Sequence, residues 1–220
     1  MTGSLDASNF NGAVVFFAAE FESVLHKVTQ CYVLMIEDGI RLPRDENLIR
    51  DCLVNGYLNN SKIKRQLELR YFVNPEVPEP NNKRPDIKFQ SVNHVYEPEI
   101  YFSIECKVIG KDNVHGKTGL NAKYIKNGIC RYVSGRYSSF GRVNGMIGFV
   151  IDEMDIHENI RDINKLLTQS FSEANATSEI SAANFISGFE YHYVSKHLDN
   201  RQTLLTIYHL MFDFHKNIVQ

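Results

Sequence analysis

The spacing of apolar residues changes period along the chain. Over residues 11–35, Val14, Phe17, Ala18, Phe21, Val24, Leu25, Val28, Tyr32 and Met35 recur every three or four positions. That spacing predicts one long amphipathic helix, with Glu20 and Glu22 flanking the stripe. Gly39 and Pro43 interrupt it. A second helix is expected over 44–57, with Asp45 and Glu46 in a first turn that favours acids, and Leu48, Ile49, Cys52, Leu53 and Tyr57 on its buried side. Residues 62–67 are ambiguous. Alternation then sets in over 67–73, predicting a strand, and the proline-punctuated residues 74–82 read as a loop. Residues 84–89 and 100–109, rich in Ile, Val, Phe and Tyr, read as two further strands.

A helix follows over 121–137, interrupted at Gly128, with Tyr124, Ile125, Ile129, Tyr132 and Val133 inward. Residues 143–151 are almost continuously apolar, as in a strand buried on both faces. Residues 155–171 form an amphipathic helix with Asp155 at its start and Ile156, Ile160, Ile163, Leu166 and Leu167 inward. Residues 172–184, rich in Ser, Ala and Asn, read as a loop. Two more strands are expected over 185–194 and 203–214, joined around Asp199 and Asn200. The expected fold class is α/β of the α+β kind: a central mixed sheet flanked by helices, with extra C-terminal strands. Its 220 residues suit one domain, with a helical part at 11–60, a core at about 62–151 and a C-terminal part at 152–220.

The chemistry gathers on the strands at 84–89 and 100–109. In the second, Ile100, Phe102, Ile104, Cys106 and Val108 share one face, and Tyr101, Ser103, Glu105, Lys107 and Ile109 the other. Glu105 and Lys107 are then roughly 6–7 Å apart along the strand. An antiparallel hairpin turning near Val95 and Tyr96 sets Asp86 opposite Glu105 and Gln90 opposite Tyr101. Opposed carboxylates repel. A divalent cation removes the conflict, and hard oxygen ligands suit Mg²⁺ or Mn²⁺. Lys107 would then hold or polarise a water for attack on phosphorus. The alternative is a solvated Glu–Lys pair on a surface hairpin.

Pro85-Asp86 followed by Glu105-Cys106-Lys107, with an apolar strand around Glu-x-Lys and a helix after it, resembles the signature of the PD-(D/E)xK, or restriction-endonuclease-like, nucleases. The resemblance runs from about residue 84 to 151. It implies an αβββαβ core and a metal-dependent nuclease. Asp86, Glu105 and the backbone carbonyl of Cys106 would hold Mg²⁺, and Lys107 would complete the catalytic set. A helix before the sheet often adds an acid to such sites; Glu46 is the candidate, with Glu20 behind it, and the loop acids Glu76 and Glu79 lie near. Lys126 or Asn121 is placed to stand beside the site, and Arg131 to clamp a phosphate. The resemblance further implies cleavage leaving a 5′-phosphate, often a homodimer, and DNA as substrate, with RNA (for example tRNA) or a catalytically silent binding module as alternatives. Within the superfamily the chain looks most like stand-alone or effector nucleases of prokaryotic anti-phage systems, whose control would fall to a separate regulatory or sensor subunit.

Charge sharpens this picture. The net charge is −2, yet no acid occurs between Asp112 and Asp152. That window carries Lys117, Lys123, Lys126, Arg131, Arg136 and Arg142 interleaved with tyrosines, a pattern that suits a phosphate backbone. Gly110 to Thr118 superficially resembles a phosphate-binding loop, but five residues separate its glycines where that motif needs four. The four cysteines are scattered, and His192, His197, His209 and His215 follow no metal-site spacing, so packed or surface roles are expected. The apolar run at 13–19 is too short to span a membrane and lacks a basic flank. A cytoplasmic protein is expected.

Overall fold

The computed structural model describes residues 11–75, 84–91, 101–137 and 140–219, without the side chains of 11–15 and 140. The side chain of Val14, the acids Glu76 and Glu79, the turn at Val95 and Tyr96, and Ile100 lie outside this description.

Seven strands form one mixed sheet in the order β1-β2-β3-β4-β7-β6-β5. They are β1 (Tyr71–Pro75), β2 (Ile87–Ser91), β3 (Tyr101–Ile109), β4 (Val143–Val150), β5 (Ala176–Ala182), β6 (His192–Leu198) and β7 (Leu204–Asp213). β1, β2 and β3 run antiparallel; β4 is parallel to both β3 and β7; β7, β6 and β5 are antiparallel. β4 carries no charge and every one of its residues is buried, as its position between two covered faces requires.

Helix α1 (Asn11–Glu37) and a π-helical segment, Cys52–Leu58, that continues helix α2 (Glu46–Asp51) cover one face of the sheet. Phe21, Leu25, Val28 and Leu53 pack there with Phe89, Ile104, Cys106, Phe149 and Phe212. The other face is covered by α4 (Leu120–Tyr124), a π-helical turn (Ile125–Ile129), α5 (Cys130–Val133) and α6 (Ile156–Ser170). Tyr124, Ile129, Tyr132 and Ile163 pack there with Ile109, Met146, Ile207 and Met211. Each such fully buried side chain contributes about 1.5–3 kcal/mol. The interruption expected at Gly128 is the π turn. A Cβ on Gly128 would lie 2.3 Å from Met146 Cε and 3.8 Å from Lys107 Cγ, so the missing side chain lets this turn sit close on β3 and β4.

Several expectations are corrected. The first strand begins at Tyr71, because Ser61–Gln66 forms helix α3, capped by Asn60 Oδ1 on the N–H groups of Lys62 and Ile63. It extends to Pro75, whose missing N–H is tolerated on an edge strand. Leu48 is 54% exposed, and α2 buries Arg50 beside Ile49 instead. Residues 172–184 are not a loop, since they contain β5. Only Ile180 of that strand is buried, and the Asn164 amide of α6 holds it, donating to its carbonyl and accepting from its N–H, both at 2.9 Å. The expected strand at 185–194 is shifted to His192–Leu198.

Three of the four C-terminal histidines, His192, His197 and His209, are buried, and His215 is half-buried. His192 Nδ1 accepts from the Ile186 N–H at 3.2 Å, and the half-buried His215 pairs with Asp213. His197 and His209 join a buried chain of hydrogen bonds, each 2.8 Å long. The Ala174 carbonyl can only accept, so His197 carries its proton on Nδ1 and accepts at Nε2 from the Ser195 hydroxyl. Ser195 Oγ then accepts from His209 Nε2–H, and His209 Nδ1 accepts from the Tyr124 hydroxyl. Every member is satisfied only while both rings are neutral, and burial pushes both imidazoles down. Folding therefore excludes protons that the unfolded rings would bind, and this stability is present above about pH 6.5 and lost as pH falls. Ser195→Ala strands a buried donor and a buried acceptor. It should cost on the order of 2 kcal/mol in urea unfolding at pH 7.5.

Candidate active site at the free edge of β3

β2 pairs with β3 from Gln90 opposite Tyr101 to Ile87 opposite Ile104, so Asp86 falls next, opposite Glu105, as the hairpin register predicts. Beyond that point, among the described residues, β3 has no strand partner on this side. Its N–H groups still need acceptors. Asp86 Oδ2 accepts from the Cys106 N–H at 2.7 Å, and Glu46 Oε2 from the Val108 N–H at 3.0 Å. Glu46 reaches β3 because Asp45 caps α2, its Oδ1 accepting from the Leu48 N–H, which fixes Glu46 in the first turn.

Lys107 lies at the centre. Its Nζ is 2.8 Å from Glu46 Oε1, 3.1 Å from Glu105 Oε1 and 3.4 Å from Asp86 Oδ2, and it donates to the Cys106 carbonyl. Burial works against the ammonium charge, but Glu105, Asp86 and Glu46 outweigh it and raise the Lys107 pKa. Glu105 is 0% exposed. Its Oε1 takes both Lys107 and Arg131 Nη1, while its Oε2 is buried without a partner. Burial first, and the Asp86 charge second, raise the Glu105 pKa from the usual 4.5 to about 7, against the pull of Lys107 and Arg131. The alternative of a solvated Glu–Lys pair is excluded by this burial.

Arg131 comes from α5, held across the β3 face by the π turn. It also donates to the Tyr137 hydroxyl at 3.3 Å, which donates to the Arg84 carbonyl at 3.1 Å and so ties down the approach to Asp86. Arg131 is thus a half-buried partner of Glu105 rather than a free phosphate clamp. Asn121 is also corrected: its amide joins Asn159 and the Val114 carbonyl, linking α4 to α6 away from the carboxylates. Glu20 accepts from the Tyr71 hydroxyl on the α1 side. Lys117, Lys123, Lys126, Arg136 and Arg142 are exposed. Arg50 was not anticipated. Buried, it sets Nη1 3.5 Å from Asp86 Oδ1, and it bonds Asn47 and Asp51. Its spacing of four from Glu46 was the available signal, since i and i+4 share a helix face.

The donor set fits a hard divalent cation. Asp86, Glu105 and the Cys106 carbonyl offer oxygens around a point that already holds a positive charge, and Glu105 Oε2 is a buried carboxylate oxygen lacking any partner. Among the described residues, no group of three or more His, Cys, Asp or Glu side chains is placed to hold a metal ion. No helix among the described residues is long and apolar enough to cross a membrane.

No family model, curated protein or solved structure matches the chain.

The Glu105 carboxyl gives a pH signature opposite in sign to that of the histidines. Folded Glu105 keeps its proton to about pH 7, whereas the unfolded residue releases it near 4.5. Its contribution to stability is full below pH 4.5 and lost as pH rises through 7. In chelator, Glu105→Gln should remove this decline, so that the urea midpoint of the variant gains on that of the wild type from pH 5 to 7.5. Parallel pH profiles for the two proteins would contradict the assignment.

Proposed function

We propose that the protein is a metal-dependent nuclease hydrolysing phosphodiester bonds of nucleic acid, with DNA as the preferred substrate. One observation carries the reading: Asp86, just before β2, and Glu105 and Lys107 of β3 converge at the free edge of β3 with both carboxylates within 3.4 Å of one nitrogen. The strand sequence antiparallel β1-β2-β3, then helix, then parallel β4 agrees with the restriction-endonuclease-like arrangement that the motif implies.

Asp86, Glu105 and the Cys106 carbonyl would hold Mg²⁺ or Mn²⁺, which supplies Lewis-acid polarisation of the scissile phosphate when bound. Lys107 orients the attacking water and offsets charge growing on the phosphoryl oxygens. Arg131 keeps Glu105 oriented through Oε1, the oxygen it shares with Lys107. The segment that brings Arg131 to Glu105 also carries Lys123, Lys126 and Arg136 to the surface, where they engage successive phosphates and give affinity without reading sequence.

The test is incubation of supercoiled DNA, linear duplex and tRNA with the protein in Mg²⁺, Mn²⁺ or chelator. Metal-dependent cutting of DNA is expected. Lys107→Ala and Asp86→Asn should each lower it by about 10²-fold or more. Cutting confined to tRNA would reassign the substrate. Cutting that survives Lys107→Ala unchanged would remove Lys107 from the chemistry, and binding without cutting by the wild type would leave a nucleic-acid-binding module. Pairwise substitution of the exposed Lys123 and Lys126 by Gln should weaken DNA binding and flatten its salt dependence by about two contacts in a fluorescence titration.

A further inference from the structure

The oxygens that suit a divalent cation are the same oxygens that hold the Lys107 ammonium. Glu105 Oε1, Asp86 Oδ2 and the Cys106 carbonyl all face Nζ, which is a position for one positive group and not two. Four carboxylates (Glu46, Asp51, Asp86, Glu105) already face three cations (Arg50, Lys107, Arg131) there. A dication added without any rearrangement would turn this near-balance into an excess of positive charge.

The three acids that face Lys107 are not equally free. Glu105 is fixed by Arg131, and Asp86 by the Cys106 N–H with Arg50 nearby. The Glu46 carboxylate is the most exposed of the three, at 33%. Its Oε2 is committed to the Val108 N–H, and its Oε1 makes the best-formed of Lys107's carboxylate contacts, at 2.8 Å. Both of its oxygens are therefore engaged, one by the backbone and one by the lysine. That pattern belongs to a residue that positions Lys107, and it differs from the role of additional metal ligand expected of Glu46 from the sequence.

We propose that Lys107 is the resident cation of the metal-free site, that a divalent ion loads by displacing its ammonium from Asp86 and Glu105, and that Glu46 is the carboxylate on which the displaced ammonium stays. Lys107 thereby competes with the metal before loading and is delivered next to the substrate phosphate afterwards. The inference rests on the nuclease reading of the same residues and adds to it a competition between ammonium and metal.

Its test is calorimetric titration of the full chain with MgCl₂ and with MnCl₂, alongside thermal unfolding in chelator and in metal, for the wild type, Lys107→Met and Lys107→Arg. Lys107→Met should bind either ion about tenfold more tightly than the wild type, and it should gain more in melting temperature from metal. Lys107→Arg, whose rigid fork holds carboxylates bidentately, should bind the ions more weakly than the wild type. If Lys107→Met does not fold in chelator, recovery of its fold in Mn²⁺ supports the proposal, and the Lys107→Arg comparison still decides it. A wild type that binds metal, with Lys107→Met binding no more tightly or Lys107→Arg no more weakly, overturns the competition and leaves the nuclease reading standing. Absence of binding in all three proteins at millimolar metal overturns both.

Discussion

Six charged side chains from α2, the approach to β2, β3 and α5 meet where water has little access, and none could be buried alone at tolerable cost. Glu105 has no exposed surface, and the side chains of Lys107 and Arg50 have almost none. An isolated ion in such a place costs several kcal/mol even after relaxation. Mutual neutralisation offsets that cost only if all six arrive in register. The geometry of the surrounding fold follows from this requirement: β2 stops pairing at Ile87 so that Asp86 can turn to the Cys106 N–H, and a capped helix presents Glu46 to the next free N–H. The π turn at Gly128 brings Arg131 down onto Glu105.

Neutralisation is incomplete in one respect. Oε2 of Glu105 keeps no partner, and the carboxyl holds its proton to about pH 7 as a result of burial beside Asp86. A structure selected for stability alone would fill that position with a donor or an apolar side chain. Retaining a strained acid next to a second acid is the pattern expected where charge is handled for a purpose beyond folding.

The centre of this arrangement was legible in the sequence because strand alternation is strict. A period of two put Glu105 and Lys107 on one face, and hairpin register put Asp86 opposite. The apolar run of β4, the long helix α1, the cap at Asp155 and the break at Gly128 were legible for similarly local reasons. What escaped depends on contacts between distant residues. Arg50 reads as solvated until Asp86 is brought beside it. Arg131 looked like a free surface cation because nothing local announces that Glu105 lies beneath it. β5 was missed because its one buried residue, Ile180, is held by the amide of Asn164 rather than by an apolar stripe. The Tyr124–His209–Ser195–His197 chain joins three segments whose spacing carries no motif.

The central place of β4 bears on the order in which the sheet is assembled. β1 to β3 and β6 to β7 are antiparallel neighbours close in sequence, whereas β4 has only parallel partners, reached through long connections, by helices from β3 and by α6, β5 and β6 to β7. Local pairings form early, and long closures form late. This topology makes β4 the seam between two locally paired halves of the sheet. Until residues 204–213 dock, that seam is an uncharged, largely apolar strand with an unpaired side, the kind of edge to which another chain adds readily.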